Sequence, residues 1–214
     1  GRYLDVADTA AGSSQALYGI WDNGSVVPTG SPVDQSVLGQ ATADGRTWRF
    51  TSHVVGAPSQ TSYTGDSALT RASYLATKRG WKLTLPSSGE RIVAQASIRY
   101  GKAIVSTLIP NTALCSFGGD GWVLEVDAIT GNRPDAPALD SNADNLVNTS
   151  DLLSYDGGNA YASGVRINAI PAAPGFVRTQ NRSLDDKLVN TSNGTVVRVR
   201  EAGNAATSRR TSWE

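Results

Sequence analysis

Histidine, cysteine and methionine are almost missing from this chain, which has one His, one Cys and no Met in 214 residues. With His53 as the only imidazole, a nucleophilic triad has no choice of base, and no Cys/His grouping exists to hold zinc. Cys115 has no partner within the chain, so it is a free thiol, a thiol bonded outside the chain, or an inert buried one. The lack of Met marks the sequence as beginning inside a longer precursor. No stretch approaches the roughly 20 apolar residues of a membrane helix, and the first residues lack the layout of a signal peptide. Net charge is missing too. Lys plus Arg and Asp plus Glu are 19 each, so no long-range field gathers nucleic acid or anionic lipid. Helical periodicity is scarce, which turns attention to strands.

What is present fits that direction. Hydrophobic residues make up 39% and charged ones 18%, the balance of an ordinary soluble protein, and 22 glycines with abundant Ser, Thr and Asn supply turns. The length suits one domain, residues 1–214, around one substantial core. Period-two alternation marks strands at 80–85, 91–100 and 102–109, the last two separated by Gly101 as in a meander. Further strands are expected at 47–55 and 195–201, a polar loop over 183–194, and a rigid connection over the Pro-rich stretch 170–175. Residues 16–24 and 121–131 look alike. Each is an apolar strand running into Asp22 or Asp127 and then a Gly turn, and the two Asp residues lie 105 positions apart, about two propeller blades of roughly 40 to 50 residues each. Trp21, Trp81 and Trp122 fall in apolar strands and are assigned to the core.

The most informative segment is acidic and runs from Asp140 to Asp151. Oxygen side chains stand at loop positions 1, 3, 5, 9 and 12 as Asp140, Asn142, Asp144, Asn148 and Asp151, with the carbonyl of Leu146 at position 7. Calcium takes roughly six to eight oxygens, and alternate residues of one short loop can supply them. Asn145 replaces the usual Gly at position 6 and tolerates positive φ better than most residues. Asp151 is shorter than the usual Glu, so a bidentate clamp needs the chain to come closer to the ion, and moderate affinity is expected. Val147 should turn away from the ion. A short helix is expected to start at Ser150 or Asp151, both good N-caps. Asp and Asn also favour plain solvated turns, but six donors in register favour calcium.

Signals for chemistry are weak. Gly65-Asp66-Ser67 looks like a hydrolase nucleophile block, yet the only His lies upstream of it. Gly118, Gly119 and Gly121 form no dinucleotide fingerprint and are read as a tight turn before Trp122. Arg198, Arg200, Arg209 and Arg210 are read as a solvated face. The chain is therefore read as a binding protein and not an enzyme.

The runs 107–112, 115–122 and 125–131 followed by the acidic loop, together with 78–86, 89–93 and Arg209 to Trp213, resemble the C-terminal domain of PilY1/PilC-type pilus-biogenesis proteins. The similarity covers about Leu17 to Trp213. It implies an all-β fold, a partial quinoprotein-like β-propeller of several blades with an inserted EF-hand-like calcium loop. It also implies an extracytoplasmic place at the pilus tip, cell surface or periplasm of a bacterium, support of pilus extension against retraction, and adhesion. The implied partners are pilin or minor pilins, a host or abiotic surface, and remaining blades from another chain. Ca2+ is the implied cofactor, held by Asp140, Asn142, Asp144, Leu146, Asn148 and Asp151. Rival readings are a purely structural calcium-stapled fragment and a fragment of a quinoprotein-like enzyme.

Overall fold

The computed structural model describes residues 15–22, 30–56, 69–111 and 118–203. Strands dominate: β1 (Ala16–Ile20), β2 (Val33–Gln35), β3 (Val37–Ala43), β4 (Arg46–Thr51), β5 (Gly80–Thr84), β6 (Ser97–Arg99), β7 (Lys102–Pro110), β8 (Gly119–Asp127), β9 (Leu153–Tyr155), β10 (Gly158–Ala160), β11 (Gly164–Ile167), β12 (Gly175–Arg178), β13 (Leu184–Asn190) and β14 (Val196–Ala202). Among the described residues they form a six-stranded sheet in the order β3-β4-β11-β8-β7-β6, two three-stranded sheets, β1-β5-β2 and β12-β13-β14, and the β9–β10 hairpin.

Two-residue turns set the hairpin registers. Tyr100 and Gly101, at φ 50° and 76°, join β6 to β7, while Asp44 and Gly45, at 48° and 67°, join β3 to β4. Positive φ at both central residues matches the strand twist and favours Asp-Gly pairs. The central strands are apolar on both faces because both faces are covered. On one side Trp48, Phe50, Ile104, Val123 and Val165 pack with Val189 and Val199 of the β12-β13-β14 sheet. On the other, Trp122, Leu124, Val105 and Val126 pack with Trp81 and Leu83 of β5. The six-stranded sheet is thus the middle of three stacked layers. Burying each large side chain contributes on the order of 1.5–3 kcal/mol.

Gly121 lies inside β8 and not in a turn, because a Cβ there would stand 1.9 Å from the Thr107 carbonyl oxygen. Gly119, too, belongs to β8, opposite Pro110, and only Gly118, at φ 85°, stands before the strand.

Several expectations shift at their edges. Of 91–100 only Ser97–Arg99 is a strand, with Arg91 making an isolated bridge to Leu108. The second strand of the repeat ends as expected at Asp127, whose carboxylate accepts from the N–H of Ile129 at 3.1 Å and of Thr130 at 2.7 Å. Trp81 and Trp122 are buried, while Trp21 is half-buried and stacks on Tyr74 at 5.5 Å. Tyr74 sits on a helix the alternation did not reveal, α1 (Arg71–Thr77), capped by Thr70, whose hydroxyl accepts from the N–H of Ser73. The polar loop expected over 183–194 is instead β13 and its turn. Its polar residues are misleading because Asp185 and Lys187 are buried against partners.

Lys187 is ion-paired to Glu125 and, at 2.5 Å, to Glu201, and Glu125 also pairs with Lys102. Asp185 takes Arg99 and, at 2.9 Å, the Tyr100 hydroxyl. This network ties β13 and β14 to β7 and β8 through the interior. Cys115, the Gly65-Asp66-Ser67 block and Arg209 to Trp213 lie outside the described residues. Among the described residues no helix is long and apolar enough to cross a membrane.

Candidate cation-binding loop and its surroundings

The chain between β8 and β11 leaves the middle sheet for 36 residues and carries the Asp140–Asp151 segment with it. Both ends of that segment are fastened, the first by backbone bonds and the last by a carboxylate. Leu139 bridges Glu201 on β14, and the Asp140 N–H donates to the Arg200 carbonyl at 3.1 Å. At the far end Asp151 is buried and draws the loop closed. Its Oδ1 accepts from the Ser141 N–H at 2.7 Å and the Ser141 hydroxyl at 3.2 Å, and its Oδ2 from the Asn148 N–H at 2.9 Å.

Between these ends the alternate side chains fold back on the backbone. Asn142 Oδ1 accepts from the Asp144 N–H at 3.0 Å, and Asp144 Oδ1 accepts from the Leu146 N–H at 2.7 Å. Asn148 Oδ1 accepts from the Ser150 N–H at 2.8 Å and caps a single 3₁₀ turn, Thr149–Asp151. The expected helix is only that turn, with Asn148 as its cap in place of Ser150 or Asp151. Asn145 adopts φ 66°, as its place at position 6 requires, and Ala143 joins it at 56°. Leu146 points its side chain outward and Val147 is half-buried.

Asp140 is the residue whose chemistry is least satisfied. It is only 8% exposed, its Oδ2 accepts from the Asn145 N–H at 3.0 Å, and its Oδ1 is buried with no hydrogen-bond partner. Burial raises its carboxyl above the usual range. The N–H groups of Asn145 and Ala143 oppose the rise, and the like charges of Asp151 and Asp144 add to it. A buried acceptor without a donor costs free energy on the order of 1–3 kcal/mol, more when charged, and a bound cation offsets that cost directly.

The donor set fits calcium unequally. Asp140 Oδ1 is free to coordinate, and Asn142 and Asp144 each keep acceptor capacity beyond their backbone bonds. Asp151 keeps less: its Oδ1 accepts from the Ser141 N–H and shares the one Ser141 hydroxyl proton with the Asp151 carbonyl at 3.0 Å, while Oδ2 keeps one lone pair, so a bidentate clamp competes with Ser141. Among the described residues no three His, Cys, Asp or Glu side chains converge on one point, so half of any donor set comes from Asn and backbone oxygens.

Sequence reasoning missed two kinds of supporting residue. Ser141 is buried and braces Asp151, and its place beside the first donor was the signal. Arg198 and Arg200 were read as a solvated face. Instead, Arg198 Nη2 donates to Asn145 Oδ1 at 2.8 Å, Arg200 Nη1 donates to the Asn145 carbonyl at 3.1 Å, and Arg200 pairs with Asp186. His53 is buried beside Asp135, 2.6 Å from its carboxylate, and belongs to no triad among the described residues.

No family model matches the chain. It is 31% identical over 137 residues to the type IV pilus biogenesis factor PilY1 homolog of Xylella fastidiosa, a match covering 61% of this chain and 8% of that relative. The crystal structure of the Pseudomonas aeruginosa PilY1 C-terminal domain superposes with a TM-score of 0.65 at 20% identity, covering 94% of this chain and 40% of the other. The chain thus spans a small part of the length of both proteins. In sequence over its matched residues it is similar to a PilY1 homolog, and in its mostly-β fold it is similar to the C-terminal domain of PilY1.

Proposed function

We propose that this chain is a calcium-binding, non-enzymatic β domain of a type IV pilus biogenesis factor, acting outside the cytoplasm at the pilus or cell surface. The relation to PilY1-type proteins supports the pilus role, with pilin or minor pilins as partners in extension against retraction and adhesion to a surface as a further task. The observation that carries the cation reading is the buried, partnerless Oδ1 of Asp140 at the mouth of a loop with two further carboxylates. Asp140, Asn142, Asp144, the Leu146 carbonyl, Asn148 and the open lone pair of Asp151 hold the ion. Calcium then neutralises the mutual repulsion of the carboxylates and stabilises the folded chain by RT ln(1 + [Ca]/Kd). The three stacked sheets support a partial propeller, since blades also pack face to face and further blades would cover the outer layers.

Calorimetric titration with calcium tests the reading. One site is expected in the wild type and none in Asp140→Ala or Asp144→Ala. Equal heats from all three proteins would end it.

A second reading makes the ion only a staple for the long excursion. The backbone and arginine ties between the loop and β14 favour it, since they already anchor the loop to the scaffold. It predicts a lower Tm without calcium and unchanged affinity for a pilin partner, whereas a regulatory ion changes both.

A further inference from the structure

Beside the loop, where the start of β4 approaches β14, lies a cavity of about 320 Å³ walled by Arg46, Arg198, Arg200, Asn145, Val196 and Asp140. Its three guanidinium groups are not equivalent. Arg200 is neutralised by Asp186, with contacts of 2.8 and 3.1 Å to the two carboxylate oxygens. Arg46 and Arg198 make no ion pair among the described residues. Among the described residues Arg46 Nη1 donates to the Arg198 carbonyl at 3.3 Å, and Arg198 Nη2 donates to the Asn145 side-chain oxygen, with the Asp186 charge nearby. Each guanidinium carries five donors, so most of those on Arg46 and Arg198 remain for a ligand.

We infer that this cavity is a carboxylate-binding site in which Arg46 and Arg198 clamp the anion and the loop, through Asn145, holds the clamp in place. Planar, forked guanidinium groups match a planar carboxylate in two-point contact. Asp44 and Asp140 line the same cavity and disfavour a doubly charged phosphate. Val196, exposed on β14, and half-buried Val197 beside it offer an apolar wall for a methylene stem. The carboxylate belongs either to an acidic side chain of a protein or to a free small acid.

Arg198 and Arg200 grip Asn145 at loop position 6, so ordering of the loop by calcium also orders the clamp. That coupling, though not the site itself, rests on the calcium reading.

The test follows the arginine Nε–H resonances of the whole chain by NMR during titration with a short capped alanine peptide carrying one glutamate, and separately with succinate, each with and without calcium. The Arg46 and Arg198 signals should shift saturably. Arg46→Gln and Arg198→Gln should each weaken binding about tenfold, the loss of one charge-assisted contact, and Arg198→Lys should restore part of it. Preference for the peptide assigns the site to acidic side chains, and preference for succinate assigns it to free acids. Added calcium should tighten binding severalfold. Unmoved arginine signals, or wild-type affinity in both Gln variants, overturn the inference. If calcium binds in calorimetry but the arginines ignore the peptide, only this site fails; if the peptide binds and calcium does not, only the cation reading fails.

Discussion

Two regions of this molecule concentrate charge, and they resolve it in opposite ways. Around Lys187 the charges are sealed inside and balanced: Glu125 and Glu201 flank the ammonium, Lys102 meets Glu125, and Arg99 meets Asp185. The 140–151 loop carries three carboxylates that do not converge and make no ion pair among the described residues, and one oxygen, Asp140 Oδ1, is buried without a donor. In the network every carboxylate faces a cation, even where one of its oxygens lacks a hydrogen bond, and these pairs tie the strands together. The loop carboxylates have no such partners among the described residues, and that difference is what the proposed cation site rests on.

The largest effect should come from unbalancing the sealed region. Lys187→Ala leaves two buried glutamates facing each other and should cost about 3–5 kcal/mol, since removal of one partner strands a buried charge. Urea unfolding measures this. A loss under about 1 kcal/mol would mean that the network is wet and weakly coupled, as exposed ion pairs are.

Acid should strip the same region next. Burial alone would raise the Glu125 carboxyl, but Lys187 and Lys102 outweigh it and hold the group down at about 2, from an ordinary 4.5. Its folded-state value is depressed, so its contribution is present above about 4.5 and lost as pH falls toward 2. Glu201 is shifted upward, chiefly by burial and against the pull of Lys187, so its protonation relieves a cost above about 4.5, before the Glu125 contribution begins to be lost. Stability measured from pH 6 to pH 2 should decline across that window in the wild type and much less in Glu125→Gln.

The loop should behave inversely. Asp140→Asn removes a charge that has no counter-ion, so without calcium the variant should melt at or slightly above the wild type. With calcium at a hundred times the wild-type Kd, only the wild type should gain about 2.7 kcal/mol. Paired melting curves separate the two cases, and a variant that melts far below wild type without calcium would show that Asp140 is structural. The smallest effect belongs to Ser141→Ala. Loss of the hydroxyl contacts with Asp151 should cost about 1 kcal/mol while freeing the second lone pair of Asp151 Oδ1. Calcium affinity should therefore hold or rise as Tm falls.

Legibility in the sequence follows the same division. The turn at 140–151 was readable because Asp and Asn recur along one short segment, and Asn145 at positive φ fits its expected place in that turn. Strands β5, β7, β8 and β14 were readable because alternation and apolar runs are local. The sealed network was not. Charge on a strand looks exposed in a sequence, and only the long-range stacking of β13 and β14 over β7 and β8 turns Lys187, Asp185 and Glu125 inward. Arg49 is a parallel case, buried against Glu90 at 2.7 Å and lying over the Trp122 ring at 3.9 Å. The helix α1 escaped notice because seven residues carry barely two turns of periodicity.

The register of β11 between β4 and β8 has a mechanical consequence. Because Gly164 stands opposite Leu124, hydrogen bonds close the base of the excursion from 128 to 163. Tension applied along the chain passes from β8 to β11 across that base and leaves the excursion slack. Under such tension the 140–151 loop stays off the line between β8 and β11 until the middle sheet itself gives way.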